Sequence, residues 1–276
     1  MPTQNEKALA FRALHERDRA FIIPNPWDMG TARMLSSLGF EALATTSAGF
    51  AFSRGRLDYR VDRKEVLAHL ASMVAATSLP VSADLENGFG DEPEVTAETI
   101  KLAASAGVVG GSIEDATSRT SEPIYELAQA ADRVRAAAEA AHTLAFPFTL
   151  TARCENYLVG RADLRDTIHR LQAYQEAGAD VLYAPGIRSK EDIAAVVSSV
   201  DRPVNVLMGL EGVRLNLAEL SAIGVKRISV GSALSRAALG AFLVAANEMR
   251  DHGTFSFVDG AASSAQIGAL LKNFDA

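Results

Sequence analysis

Cysteine occurs once in the 276 residues, at Cys154, which excludes an intrachain disulfide and a thiolate metal cluster. No apolar segment approaches the roughly 18 residues of a membrane span, and the N-terminus lacks the apolar core of a signal peptide. There is no basic block. Acids and bases are interspersed, with a formal net charge of −7, which argues against a nucleic-acid partner. No Gly-x-Gly-x-x-Gly follows the first apolar run, so a doubly wound dinucleotide-binding sheet lacks its fingerprint. The five histidines (His15, His69, His142, His169, His252) all fall in expected helices or in the tail, so histidine chemistry has little support. No linker or low-complexity stretch interrupts the chain. A cytosolic protein without membrane or nucleic-acid partners is expected, folded as one domain over residues 1–276.

What is present is a rhythm. After an amphipathic helix at 3–17, short apolar runs alternate with helical patterns. The runs are Phe21–Ile23, Ala42–Thr46, Pro80–Asp84, Val109–Ile113, Phe148–Ala152, Val181–Tyr183, Val204–Leu207 and Arg227–Val230. Helices are expected from an Asp28 N-cap to Gly39, at 61–77, 93–106, 123–141 and 162–177, after Ser189, and after each of the last two runs. Eight strand–helix units, with strands read as apolar on both faces, predict an α/β protein, a (β/α)₈ TIM-type barrel. Residues 1–20 precede the barrel, 21–250 form it, and 251–276 remain as a loop and a short extra helix. A helix not needed to close the barrel suits contact with a second copy.

Chemistry in such a barrel belongs at the carboxyl ends of the strands. The third run ends in Asp84-Leu85-Glu86-Asn87-Gly88-Phe89-Gly90, two acids on one side of the pleat followed by a loop. Glu114-Asp115 ends the fourth run, Arg153 the fifth with Glu155 and Asn156 beyond, and Asn205 lies in the seventh. Asp58 follows the second run, which ends in Ser47-Ala48-Gly49. Several acids at one mouth repel each other unless a hard cation, Mg²⁺ or Mn²⁺, lies among them. Arg153 suits a bidentate grip on a substrate carboxylate, and the small residues 47–49 let backbone N–H groups approach its oxygens. Bland alternatives stand beside these: Arg153 as an ion-pair partner of Glu155 or Glu114, Asn205 as a helix cap, and Cys154 as core filling.

Taken together, Ser47-Ala48-Gly49, Asp58, Asp84 to Gly90, Ile113-Glu114-Asp115 and Arg153 resemble the isocitrate lyase/phosphoenolpyruvate mutase superfamily. The likeness runs in order from Phe21 to about Phe242. The resemblance implies a Mg²⁺-dependent barrel with Asp84 as direct metal ligand and Asp58, Glu86 and Glu114 holding the metal's waters. It further implies Asp58, Glu114 and Arg153 as catalytic residues, and substrate contacts from Thr45, Ser47, Ala48, Gly49, Arg153 and Asn205. A last helix exchanged between subunits of a homodimer or homotetramer is implied as well.

Departures from the superfamily pattern narrow the branch. The lyase branch carries a Lys-Cys-Gly-His loop after the fourth strand; residues 116–122 read Ala-Thr-Ser-Arg-Thr-Ser-Glu, without Cys, Lys or His. This segment is expected to be a mobile lid with Arg119 as its one cation. Thr45 replaces an aromatic residue, and Glu86 replaces an aspartate. The inventory suits C–C cleavage or decarboxylation of a small 2-oxo carboxylic acid through a metal-stabilised enolate. Phosphonomutase or phosphonopyruvate hydrolase chemistry is the alternative, and a non-catalytic barrel binding metal and carboxylate is the other class.

Overall fold

The computed structural model describes residues 2–274. A first helix, α1 (Gln4–Glu16), is started by a Thr3–Glu6 capping box and lies under the strands. Eight short parallel strands follow: β1 (Phe21–Ile23), β2 (Leu43–Ala44), β3 (Val81–Asp84), β4 (Gly110–Glu114), β5 (Thr149–Arg153), β6 (Val181–Tyr183), β7 (Val204–Leu207) and β8 (Arg227–Ser229). They pair in the order β1-β8-β7-β6-β5-β4-β3-β2. A backbone hydrogen bond from Ala44 N to Pro24 O, 3.1 Å, carries the ring across from β2 to the end of β1. The nearly closed barrel with helices between its strands is the expected (β/α)₈ architecture.

Most outer helices stand where the pattern put them. They are α2 (Met29–Ser37), α4 (Arg63–Ala76), α5 (Pro93–Ser105), α6 (Leu127–His142), α7 (Leu164–Glu176), α8 (Lys190–Ser198) and α9 (Leu217–Ala222). Asp28 caps α2 by accepting from Thr31 N at 2.7 Å, and Gly39 beyond its end has φ +86°. Two stretches differ. Residues 47–49, read as the end of the second run, open a short helix, α3 (Ser47–Ser53), because Thr46 caps it through Gly49 N. The helix expected from 123 starts only at Leu127. Pro123–Glu126 instead return beside residues 115–117, with an antiparallel bridge from Ala116 to Ile124 and Tyr125 N bonded to Asp115 O at 2.9 Å.

The strands are not apolar on both faces. Val81, Ala83, Ile113, Leu150, Ala152, Leu182, Val206 and Ile228 point outward into the core under the helices. The opposite faces carry Ser82, Asp84, Ser112, Tyr183, Asn205, Arg227 and Ser229, which surround a cavity of about 50 Å³ inside the barrel. The period-2 alternation is real, but its polar half faces inward. At the bottom Phe11 of α1 closes the lumen. Gly110 permits this, since a Cβ there would sit 2.9 Å from the Phe11 ring and 2.8 Å from Thr149 O.

The chain after β8 forms a 20-residue helix, α10 (Ala233–His252), the helix expected after the last run, which reaches two residues into the tail expected from 251. Its Phe242, Leu243 and Val244 are 64%, 56% and 68% exposed. A last helix, α11 (Ser264–Leu271), lies against α2, with Ser37 Oγ donating to Leu270 O at 2.6 Å. Among the described residues no helix is long and apolar enough to cross a membrane.

Candidate active site

The polar lumen opens at the carboxyl ends of the strands, where the expected acids meet. Asp84, the last residue of β3, is held at three points. Its amide donates to Thr45 Oγ1 at 2.9 Å, its Oδ2 accepts from Ser47 N at 3.0 Å, and its Oδ1 lies 3.7 Å from Arg153. Thr45 and Ser47 are therefore occupied in fixing Asp84, and Ser47 also hydrogen-bonds Asp58. Burial first, and then the charge of Asp84, push the Asp58 carboxyl above its ordinary value. The same two causes, with Asp58 added, carry Glu86 up to about 8. Glu114 is buried and raised well above the usual range by desolvation, despite the nearby Arg153 guanidinium.

The one cation expected at this mouth stands among the acids. Arg153 at the end of β5 donates through Nε to Glu155 and through Nη1 to Glu114 at 3.1 Å. Glu155 is 2% exposed, and its amide is fixed by Asp115 Oδ1 at 2.8 Å. Burial pulls the guanidinium's pKa down, but Glu155, Glu114 and Asp84 more than reverse this, and Arg153 stays charged. The ion-pair alternative raised for Arg153 is thus real in this state. Its Nη2 takes no partner among the described residues.

Below this layer the chemistry changes. Asn205 donates to Ser229 Oγ at 2.9 Å and accepts from Arg227 Nε at 2.9 Å, so its amide serves the lumen rather than capping a helix. Arg227 also donates to Thr151 Oγ1 at 2.9 Å and reaches His15 Nε2 at 3.4 Å. No acid pairs with it, and burial lowers its pKa to about 10. His15, with Nδ1 directed at Phe11 O, is held neutral by burial and by Arg227, with a pKa near 3. Cys154 is buried, as expected of core filling.

Three participants were not read from the sequence. Tyr59, at φ +59°, folds back so that its hydroxyl donates to Glu114. Glu155 was noted only as a neighbour. Arg133 of α6 holds the loop after Asp84 by its backbone. The position of Glu155, two residues beyond a strand-end Arg, was the one visible signal. Within the 116–122 segment, Arg119 pairs with Asp91 at 2.6 Å and lies over the Tyr125 ring. Ala48 and Gly49 occupy the first turn of α3, where a Cβ on Gly49 would come within 2.6 Å of Thr46.

Clustered carboxylates are hard oxygen donors, and several of them are driven toward protonation by one another. Among the described residues no three His, Cys, Asp or Glu side chains stand close enough to hold an ion by themselves. The set fits a hexacoordinate cation such as Mg²⁺ that takes one direct acid and keeps several waters.

Residues 11–250 match the phosphoenolpyruvate phosphomutase family. A crystal structure from Burkholderia cenocepacia J2315, described only as a lyase/mutase, is 64% identical, with a TM-score of 0.94 over 96% of this chain and 95% of that one. Oxaloacetate acetylhydrolase in complex with its product oxalate is 26% identical, with a TM-score of 0.87 over 100% and 96%. Oxaloacetate decarboxylase from Chromohalobacter salexigens is 27% identical, over 91% of this chain and 88% of its own length.

Proposed function

The chain belongs to the phosphoenolpyruvate phosphomutase family, within the isocitrate lyase/phosphoenolpyruvate mutase superfamily, and from that premise we propose a Mg²⁺- or Mn²⁺-dependent lyase for a small 2-oxo carboxylic acid. The observation that carries the reading is the mouth itself, where Asp58, Glu86 and Glu114 are raised by burial and by mutual repulsion around Asp84. Asp84 would hold the cation directly; Asp58, Glu86 and Glu114 would hold its waters. When bound, the cation supplies a Lewis acid that draws off the negative charge developing on the 2-oxo oxygen as the C–C bond breaks.

The chain's own groups do the rest. Arg153 offers Nη2 to the substrate carboxylate and exchanges partners with Glu155 and Glu114 as the ligand enters. Ser47 N and Gly49 N are engaged by Asp84 and Thr46, so of these α3 amides Ala48 N is the one to meet the substrate's oxygens, with Thr45 and Asn205 on the cavity wall. Asp58 and Glu114 stand next to the reacting centre as proton carriers, and Glu114 accepts a hydrogen bond from the Tyr59 hydroxyl. The decarboxylase and acetylhydrolase relatives act on oxaloacetate by name, which supports a 2-oxo diacid as substrate class. Phosphonate chemistry is the second reading, favoured by the family match and weakened by Arg119, whose charge is paired with Asp91.

The reading extends to a cytosolic homodimer or homotetramer, supported by the exposed Phe242, Leu243 and Val244 of α10. Exchange of the last helix belongs to the same proposal. Purified protein with Mg²⁺ is to be offered oxaloacetate, other 2-oxo diacids and phosphonopyruvate, with pyruvate, CO₂ and phosphate followed separately. Metal-dependent C–C cleavage that EDTA abolishes is the expected result. Phosphate release alone would replace it with the second reading.

A further inference from the structure

The loop after β3 has an unusual backbone. Glu86 and Phe89 have φ of +50° and +64°, in the left-handed region that non-glycine residues avoid, and Gly88 between them has φ +80°. Such a conformation persists only where its surroundings over-determine it. Here the carbonyls are held one by one. Leu85 O accepts from Gly88 N at 2.8 Å, Glu86 O from Glu114 N at 3.0 Å, and Gly88 O from Thr99 Oγ1 at 2.8 Å. Three of the remaining four, Asn87 O, Gly90 O and Asp91 O, all accept from a single side chain, Arg133.

Arg133 comes from α6, at 1% exposure, and among the described residues no acid pairs with its guanidinium. Its plane stacks on Tyr125, 4.3 Å from the ring centroid, and the Tyr125 hydroxyl donates to Asp91 Oδ1 at 2.6 Å and accepts from Asn87 Nδ2 at 3.2 Å. A buried guanidinium spent on neutral carbonyls is costly unless their placement matters. The loop it holds carries Glu86 at one end and joins Asp84 directly.

We propose that Arg133 is a positioning residue for the metal site, fixing the strained Leu85–Asp91 backbone so that Asp84 and Glu86 are presented to the cation before it binds. The inference rests on the proposed metal site. A preformed site binds more tightly because no ordering remains to be done at the moment of binding, and outer partners that orient ligands commonly govern tenfold or more of metal affinity. Arg133 touches neither substrate nor cation; it acts through the backbone.

The test is calorimetric titration of the full-length protein with Mg²⁺ alone, without substrate. Arg133→Met should weaken Mg²⁺ binding by about tenfold or more. Arg133→Lys should fall between it and the parent, since an ammonium can meet one or two carbonyls but neither spans three nor stacks on Tyr125. Ala137→Gly, a destabilising change deep in the same helix, should lower the Tm yet leave the Kd within about twofold. A folded Arg133→Met protein with parental affinity would overturn the proposal, and so would an equal loss in Ala137→Gly. If Arg133→Met does not fold, parental affinity in Arg133→Lys overturns it. A parent chain that binds no Mg²⁺ overturns the metal-site reading itself, and this inference with it.

Discussion

Two arginines share one lumen and live differently. Arg153, at the mouth, stands among Asp84, Glu114 and Glu155. Arg227, deeper in the lumen beside Thr151, has no carboxylate partner among the described residues and is held by Asn205, Thr151 and His15. The upper cation is over-supplied with negative partners that can be exchanged for a ligand's. The lower one is satisfied by neutral groups in fixed positions, and its charge disturbs only its neighbours, as neutral His15 shows. Exchangeable charge marks the reacting end of the barrel, and fixed polar pairing marks the part that holds its shape.

The contrast is broken most severely at Asp84. Asp84→Ala should cost about 10³-fold or more in metal-dependent kcat/KM, roughly 4 kcal/mol, while the fold persists because like-charge repulsion is relieved. Calorimetry showing unchanged Mg²⁺ binding in that variant would remove Asp84 from the metal site.

Next come the arginines themselves. Arg153→Lys keeps the charge but loses the fork, so KM should rise by about tenfold or more. Arg227→Met should change KM by less than about threefold yet cost about 1–3 kcal/mol of stability, since the Asn205 and Thr151 oxygens lose their donor. Thermal melts and steady-state kinetics on both variants read the two outcomes. Reversed behaviour would mean that the layers had been assigned the wrong way round.

A third measurement uses pH. Glu86 is raised from 4.5 to about 8 in the folded, metal-free chain. Between those values the folded chain keeps a proton that the unfolded chain has released. Its contribution to stability is therefore full below about pH 4.5 and is lost as pH rises toward 8, by a few kcal/mol at most. Melting curves across that range should show the decline in EDTA and a flatter profile with Mg²⁺ or in Glu86→Gln. A parental slope in Glu86→Gln would assign the effect to another group.

The smallest effect is expected at Arg119. Arg119→Ala should leave C–C cleavage within about tenfold, about 1.4 kcal/mol of barrier, because the side chain pairs with Asp91 at the surface. A collapse of several orders of magnitude, with folding and metal binding intact, would favour phosphoryl chemistry.

Asp84 and Glu86 could be placed from sequence because an apolar run ends in them and Asn-Gly-Phe-Gly cannot continue a strand. Arg153 and Glu114 were legible for the same reason. Tyr59 was not, since its reach to Glu114 depends on one left-handed residue in a loop. Arg133 lies in an Ala-rich helix where a charge reads as a solvated face, and only tertiary contact reveals what it holds. The reading of strands apolar on both faces left Ser82 and Arg227 without a role, whereas Asn205 was named as a substrate contact. In a closed barrel the alternate face of every strand meets the other strands rather than helices, so a polar lumen is compatible with a buried sheet. Residues 47–49 were read as the end of the second strand because Thr46 was not recognised as a cap.

One feature of the ring has a consequence for how the protein breathes. β4 and β5 are paired over five residue positions, whereas β1 and β2 meet through Ala44 N to Pro24 O and through the Asn25 amide, which donates to Thr45 O at 3.0 Å. The Asn25 Oδ1 also accepts from Val230 N and Gly231 N, so one side chain closes both flanks of β1. In native-state hydrogen exchange, Ala44 should give up its amide deuterium well before the five-residue β4–β5 ladder does. The barrel unzips, when it does, along a line fastened by one backbone bond and the side chain of one asparagine.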